Sequence, residues 1–372
     1  MTQEVWVTAR TVPIDFVRAA VATATRQGVD IEQLLGSVGV APELLAQDRA
    51  RVTVDQVAAT VRELWRISDD ELFGLGPAPL PRGSIRLVGF GLIGCADLGA
   101  AIERFFEYRR LLPGLPPMTM TTADANTRFT LDTQEVAEGN ELLTTFLLAG
   151  VHRTIAWGIG RRVPLRQVEF PYPQPRNLDD YALVFDAPLV FDAPIAALTF
   201  ASDLLAAPIT RTEDELIAWT RNAPTDVLSR REYGSSPAEQ VRRILARGLR
   251  GDRIGGERWP SADEVAKRLA MSPQTVRRKL AEEATSITQI REDILRDAAV
   301  ASLVRGEETV EALSARLGFS EPSAFRRAFR RWTGSPPGSY RGAAAHAERL
   351  RDSGSRGQAP ATDRAADGGS AP

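Results

Sequence analysis

The sequence predicts an α+β N-terminal domain (helices plus an antiparallel sheet) followed by an all-α C-terminal domain with two helix-turn-helix units. Three observations carry this reading. Apolar residues recur with helical spacing through residues 12–70. Two stretches of strict alternation, Met118–Thr122 and Thr127–Asp132, flank a turn-forming Ala123–Asn126 segment. Near the C-terminus, one pattern of short helix, tight turn and second helix occurs twice, its turns 48 residues apart at Ala270 and Gly318.

In the first region, Phe16, Ala19, Ala20 and Thr23 share one face. A second helix starts at Asp30–Leu35 and stops at Gly36. Asp55–Ile67 forms a third, with Val57, Val61, Leu64 and Trp65 on its apolar side. Pro77, Pro79 and Pro81 mark a loop. A helix over about Asp97–Leu112 presents Ile102, Phe105, Phe106 and Leu112. The alternating hairpin follows, and then a long helix over about Asn140–Gly158. Val168–Phe170, Leu189–Phe191 and Ala197–Phe200 read as further strands, with a short helix near Asp179–Phe185. Helices beside a segregated sheet make an α+β domain. Residues 206–257 return to helix.

At 372 residues the chain exceeds one compact core and suits two domains with small appendages. The expected organisation is 1–250 as effector-binding and dimerisation domain, 251–257 as a glycine-containing linker, 258–341 as DNA-binding domain and 342–372 as a disordered tail. The opening MTQEVWVTARTVPIDF has no basic stretch followed by an apolar core, so no signal peptide is expected. The longest nearly apolar run, Leu87–Ile102, carries Asp97 and four glycines and is too short and polar to span a bilayer. Cys95 is the only cysteine, which excludes an intrachain disulfide and fits a reducing cytoplasm. With only His152 and His346, a His/Cys zinc site or a His-based nucleophile triad has little to draw on. The expectation is a protein without metal, cofactor or enzymatic activity.

Charge is unevenly spread. Residues 258–341 hold 15 Lys+Arg against 11 Asp+Glu, whereas residues 1–257 hold 27 against 33. An acidic body with a basic C-terminal module lets phosphates attract one part and not the other.

The motif that carries chemistry runs from Thr309 to Trp332. Its first helix puts Leu313 and Leu317 on one side and ends at Gly318, which suits a left-handed turn. Ser320 is the expected N-cap of the next helix and Pro322 fits its first turn. Phe325, Phe329 and Trp332 point inward, while Ser323, Arg326, Arg327, Arg330 and Arg331 form a basic outer face. Upstream, Ser261 and Glu264 make a capping box, with Val265 and Leu269 inward. Ser272-Pro273 opens a helix that turns Val276 and Leu280 in and Gln274, Arg277, Arg278 and Lys279 out. Between the units Ile287, Ile290, Ile294, Ala298 and Ala301 mark a strut of about 18 residues, roughly 27 Å long. Such a strut can hold two recognition helices near the ~34 Å spacing of successive major-groove turns.

The run ARLGFSEPSAFRRAFRRWTGSPPGSYR resembles the C-terminal signature of AraC/XylS-type transcription regulators, and AKRLAMSPQTVRRKLAEEATS resembles their first helix-turn-helix. Residues 85–112 and 161–208 resemble the effector-binding and dimerisation domain of the arabinose-binding-like subgroup. The resemblance implies base-reading positions at Gln274, Arg277 and Arg278 in the first unit and Ser323, Arg326 and Arg327 in the second, with Thr275 and Arg330 also on DNA. It implies double-stranded promoter DNA, a small-molecule effector and a second copy of the chain as partners, contact with RNA polymerase, no membrane, and activation more often than repression. Two departures stand out. Ala270 occupies the turn position that Gly318 holds, a left-handed alanine that costs about 1 kcal/mol and is expected to reshape the turn. Pro322 cannot read a base through a polar side chain, which shifts the second helix toward phosphate contact.

One competing motif points elsewhere. Gly89-Phe-Gly-Leu-Ile-Gly94 spells the dinucleotide-binding G-x-G-x-x-G, which would make the chain a nucleotide-dependent enzyme. A second parallel strand with an acidic residue about 20 positions on is missing from the sequence, where Phe106–Leu112 continues a helix. An ordinary turn at a helix entry is therefore expected. His152, amid apolar residues, reads as a satisfied core histidine and Cys95 as a small buried hydrophobe.

Overall fold

A computed structural model describes residues 11–133, 140–175, 181, 184–224, 237–249, 259–283, 285–306 and 308–341. The expected linker and C-terminal tail lie outside the described residues, and of the expected helix near 179–185 only Tyr181, Val184 and Phe185 are described, all helical.

The N-terminal region opens with a two-stranded antiparallel ribbon, β1 (Thr11–Pro13) and β2 (Arg51–Thr53). Three-residue strands are too short to leave an alternation in the sequence. Between them lie α1 (Asp15–Arg26) and α2 (Ile31–Ser37). The buried face of α1 is Val17, Ala20, Thr23 and Ala24, rotated from the expected one because Phe16 and Ala19 stay half-buried. Asp30 caps α2, and the helix runs one residue past Gly36. In α3 (Val54–Ser68), Thr53 and Gln56 form a reciprocal capping box, and Asp69 ends the helix in the left-handed conformation.

Next come α4 (Ser84–Leu92) and α5 (Leu98–Arg109). Helix α4 corrects the nucleotide-turn alternative, because Gly89 and Gly91 lie inside a helix, and the element before it in the chain is helix α3 rather than a strand. A Cβ on Gly89 would stand 2.8 Å from Leu216, and one on Gly91 would run into the Tyr108 ring. The glycines permit close helix crossing rather than phosphate approach.

A five-stranded sheet has the order β3 (Met118–Ala123), β4 (Asn126–Leu131), β7 (Ala196–Ala201), β5 (Leu165–Glu169), β6 (Leu189–Val190). It is antiparallel except at its edge, where β6 runs parallel to β5. The register sets Met120 opposite Phe129 and Met118 opposite Leu131, so one face is apolar. The other carries the Thr119–Thr130 hydroxyl pair and the Arg128–Glu169 ion pair. Helix α6 (Asn140–Ile159) contacts β7, α1 and α5. It is long and apolar enough to cross a membrane, a property it shares with core helices, and its Glu141–Ile159 stretch is longer than the Leu87–Ile102 run. His152 on α6 is buried, its Nε2 at 2.8 Å from the Val163 carbonyl, and Cys95 is a free, buried thiol.

The remaining elements are all helical: α7 (Glu213–Asn222), α8 (Pro237–Leu249), α9 (Ala262–Arg268), α10 (Pro273–Glu282), α11 (Ile287–Arg305), α12 (Val310–Leu317) and α13 (Pro322–Thr333). Helix α8 lies before the expected boundary at 258, yet Val241 and Leu245 pack with Val265, Val276, Leu280, Ile290 and Ile294. The apolar group around the first helix-turn-helix thus extends upstream of that boundary.

Candidate nucleic-acid interface

Helices α9 and α10 form the first helix-turn-helix. Ser261 Oγ accepts from the Glu264 amide at 3.2 Å while Glu264 accepts from the Ser261 amide at 2.7 Å, completing the capping box. The turn bonds Met271 N–H to Ala266 O and Ala270 N–H to Lys267 O, with Ala270 at φ 53°. In the second unit, α12 and α13, Phe319 N–H bonds to Ser314 O and Gly318 N–H to Ala315 O, with Gly318 at φ 85°. The two turns share one hydrogen-bond pattern. The expected reshaping at Ala270 is therefore corrected: the alanine accepts left-handed strain and keeps the turn.

The second helices start differently. Ser272 caps α10 through the Thr275 amide at 3.1 Å, and the Thr275 hydroxyl meets Ser272 Oγ at 2.8 Å. In α13 the N-cap is Glu321 and not the expected Ser320, because one more residue separates the left-handed glycine from Pro322 than separates Ala270 from Pro273. Glu321 caps no amide. Its carboxylate accepts from the Ser323 hydroxyl at 3.0 Å.

Burial divides both helices cleanly. Val276 and Leu280 are buried in α10, Phe325 and Phe329 in α13. Gln274, Arg277 and Arg278 stand exposed on the first, with Thr275 half-buried at the cap. Ser323, Arg326, Arg327 and Arg330 stand exposed on the second. The structure thus brings the residues of each unit onto one outward surface. Acidic partners hold some of the arginines: Glu282 holds Arg278 at 3.1 Å, Glu311 holds Arg326 at 2.6 Å, and Glu292 holds Arg331 at 2.9 Å. Arg277, Arg327 and Arg330 make no ion pair among the described residues. Exposed pairs contribute about 0–1 kcal/mol, so an arginine can exchange its carboxylate for a phosphate at little cost. The i,i+4 spacing of Arg278 and Glu282 was visible in the sequence. The Glu311 and Glu292 pairings were not, since they join different helices.

Sequence reasoning also missed a buried polar junction on α11. Asp297 is buried and accepts from Thr11 on β1, from Arg242 on α8 and from its neighbour Arg296. Arg51 on β2 donates to the Thr11 hydroxyl at 2.8 Å and to its carbonyl at 2.7 Å. Burial alone would raise the Asp297 carboxyl. The guanidiniums of Arg296, Arg242 and Arg51 outweigh it and hold the group below the ordinary carboxylate range. Nearby, the buried Tyr340 hydroxyl accepts from the Arg51 amide at 3.1 Å.

Comparison with known proteins gives two family-model matches. Residues 28–209 match the arabinose-binding domain of AraC transcription regulators, and residues 265–343 match a helix-turn-helix domain. The ornithine utilization regulator of Pseudomonas aeruginosa is 24% identical over 343 residues, covering 92% of this chain and 99% of the relative. The HTH-type transcriptional regulator VqsM of the same organism is 40% identical over 85 residues, covering 23% of this chain and 26% of that one. The crystal structure of the transcriptional regulator CdpR from P. aeruginosa aligns over 87% of this chain and 96% of that one, at 21% identity and a TM-score of 0.30.

Proposed function

The chain belongs to the AraC family of DNA-binding transcription regulators, and from that premise we propose that it is a cytoplasmic, homodimeric activator whose N-terminal domain answers to a small molecule. The observation that supports the DNA-reading part is the repetition of one design. Two helix-turn-helix units each bury an apolar face and turn a basic one outward, and they sit at the two ends of the 19-residue α11. In this reading Gln274, Arg277, Arg278, Ser323, Arg326 and Arg327 meet base edges. Arg330 meets phosphate, and Thr275 reaches DNA from the cap of α10. In this reading the DNA-binding unit expected at 258–341 is taken to begin with α8 at 237, which the packing of α8 on the first unit supports. The N-terminal part through 224 supplies the effector site and the dimer contact, and a neighbouring RNA polymerase is the partner of activation. No catalytic step belongs to this reading.

The test is to recover and sequence the genomic fragments that the full chain retains at physiological salt, then to measure binding to the recovered site. Arg278→Ala and Arg327→Ala should each cost about 1–3 kcal/mol on that site and relax preference at one base position. If both variants bind specific and random DNA as the unaltered chain does, the recognition faces are misassigned.

A further inference from the structure

Within the N-terminal domain, between the apolar face of the sheet and helices α3–α7, lies a cavity of about 660 Å³. Ligand pockets commonly measure ~300–1,000 Å³. The wall is formed largely by carbon, with Met120 and Phe129 from the sheet, Ile102 and Phe105 from α5, and Phe146 and Val151 from α6. Charged lining residues are confined to the exposed or half-exposed class. These are Arg62, Arg82, Arg86, Arg221 and Glu71, which places them at the mouth. Both Glu71 oxygens are engaged at the start of α4, accepting from the Gly83 amide at 2.6 Å and the Ile85 amide at 3.1 Å. Arg86 and Arg221 make no ion pair among the described residues. The mouth is therefore cationic.

A second observation comes from glycine. Gly150 lies in the middle of α6 and lines the cavity, and a Cβ added there would meet nothing within 4 Å. Mid-helix glycine weakens a helix. At Gly89 and Gly91 a close neighbour accounts for the missing side chain; at Gly150 none does. What its absence leaves is open volume against the cavity.

We propose that this cavity binds an amphipathic anion, with an extended hydrocarbon body lying between the sheet and α6 and a carboxylate head at the guanidiniums of Arg82 and Arg86. The body loses its contact with water against carbon, and the head keeps both solvent and counter-charge. A pentose suits this wall poorly, because the interior between sheet and α6 is apolar and would leave most of its hydroxyls without hydrogen-bond partners. The proposal rests on the reading of the N-terminal domain as the effector-binding part, and its ligand class can fail separately.

The experiment titrates the full chain with sodium decanoate below its micelle concentration, by calorimetry and by the fluorescence of Trp65, Trp157 and Trp219, which line the same cavity. L-arabinose and decyltrimethylammonium are the controls. Saturable binding of decanoate is expected, with neither control competing. Gly150→Leu should fill the void and weaken decanoate by about tenfold or more while leaving the melting temperature equal or higher. The double change Arg82→Glu, Arg86→Glu, on an exposed rim, should weaken it by about tenfold without altering DNA binding of the ligand-free protein. Absence of decanoate binding, tighter binding of arabinose, or decanoate affinity unmoved by both variants would overturn the proposal. A parallel measurement on the recovered genomic site separates the two readings. Decanoate that binds as described yet leaves DNA affinity and transcription unchanged supports the ligand class and removes the effector reading. A different molecule that changes DNA binding where decanoate fails overturns the ligand class and keeps the effector reading.

Discussion

The two helix-turn-helix units are alike in outline and different in attachment. The first buries Val265, Val276 and Leu280 against α8 and the first half of α11, in an apolar cluster of its own. The second buries Leu313, Leu317, Phe325 and Phe329 in a cluster that continues through Tyr340, Val52 and Ile14 into the N-terminal domain. The second unit is thus an extension of the N-terminal domain's core, and the first is carried on two helices. Interiors pack densely and transmit displacement, so a change in the N-terminal domain is expected to reach the second unit through this shared core and the first through α11 and α8. Asp297 sits where these routes meet, binding the β1–β2 ribbon on one side and α8 on the other.

Removing that meeting point should give the largest effect. Asp297→Ala removes the buried carboxylate that Arg242 and Arg296 share, leaving Arg296 its ion pair with Asp293 at 3.0 Å, and breaking a buried pair in this way costs about 3–5 kcal/mol. Asp297→Asn, which keeps the shape and the Thr11 contact, should cost less. Because the folded carboxyl is held below its ordinary range, the junction's contribution is fully present above the unfolded value of about 3.9. It is lost as pH falls through the lowered folded value. Thermal unfolding should therefore show little dependence on this group from pH 5 to 8 and a loss in acid that Asp297→Asn reduces. An Asp297→Ala chain that melts like the unaltered one would show that the two routes do not meet here.

A smaller and more selective effect is expected on DNA. Arg331 is held by Glu292, and its carbonyl is touched by Arg49 of the N-terminal domain at 3.4 Å, whereas Arg330 beside it makes no ion pair among the described residues. Arg330→Ala should weaken every DNA sequence about equally and lower the salt slope by roughly one unit. Gln274→Ala, on the separately packed first unit, should flatten discrimination among single-base variants by about 1–3 kcal/mol with little change on random DNA. The measurement is a binding series over such variants at two salt concentrations. If Gln274→Ala preserves their ranking and Arg330→Ala reorders it, the roles of the two units are reversed.

What could be read in advance followed from local rules. Capping boxes, apolar spacing and the basic outer faces are written in neighbouring residues, so the helices of both units and the outward placement of Gln274, Arg277, Arg278, Arg326 and Arg327 were legible. Relations between distant residues were not. The three-residue ribbon carries no periodicity, and Gly89 and Gly91 make sense only once Leu216 and Tyr108 are seen against them. Neither the Arg242–Asp297 pair, separated by 55 residues, nor the packing of α8 on the first unit leaves a pattern in sequence. The N-cap at Glu321 escaped for a subtler reason. Ser320 is the better capping residue by type, but the second turn holds an extra residue and the helix starts one position later.

The finest distinction between the units is the left-handed residue of each turn. Ala270 and Gly318 hold the same hydrogen bonds at positive φ, so the comparison isolates a single methyl group. An L-residue in this region costs roughly 1–2 kcal/mol through the clash of Cβ with the carbonyl oxygen. Glycine gives back part of that gain through its greater freedom when unfolded. The balance favours glycine at a helix C-terminus by about 1 kcal/mol. Ala270→Gly should therefore raise the stability of the first unit by about that amount, and Gly318→Ala should lower the second by a similar amount. Neither residue lies on an outward face assigned to DNA, so operator discrimination should stay constant in both. Because the second unit shares its core with the N-terminal domain, the Gly318→Ala loss should appear in the main melting transition. The Ala270→Gly gain should be seen as slower hydrogen exchange confined to α8, α9, α10 and the first half of α11, which share one core. Should Ala270→Gly protect amides throughout the N-terminal domain as well, the first unit is not the separate packing group that its core describes.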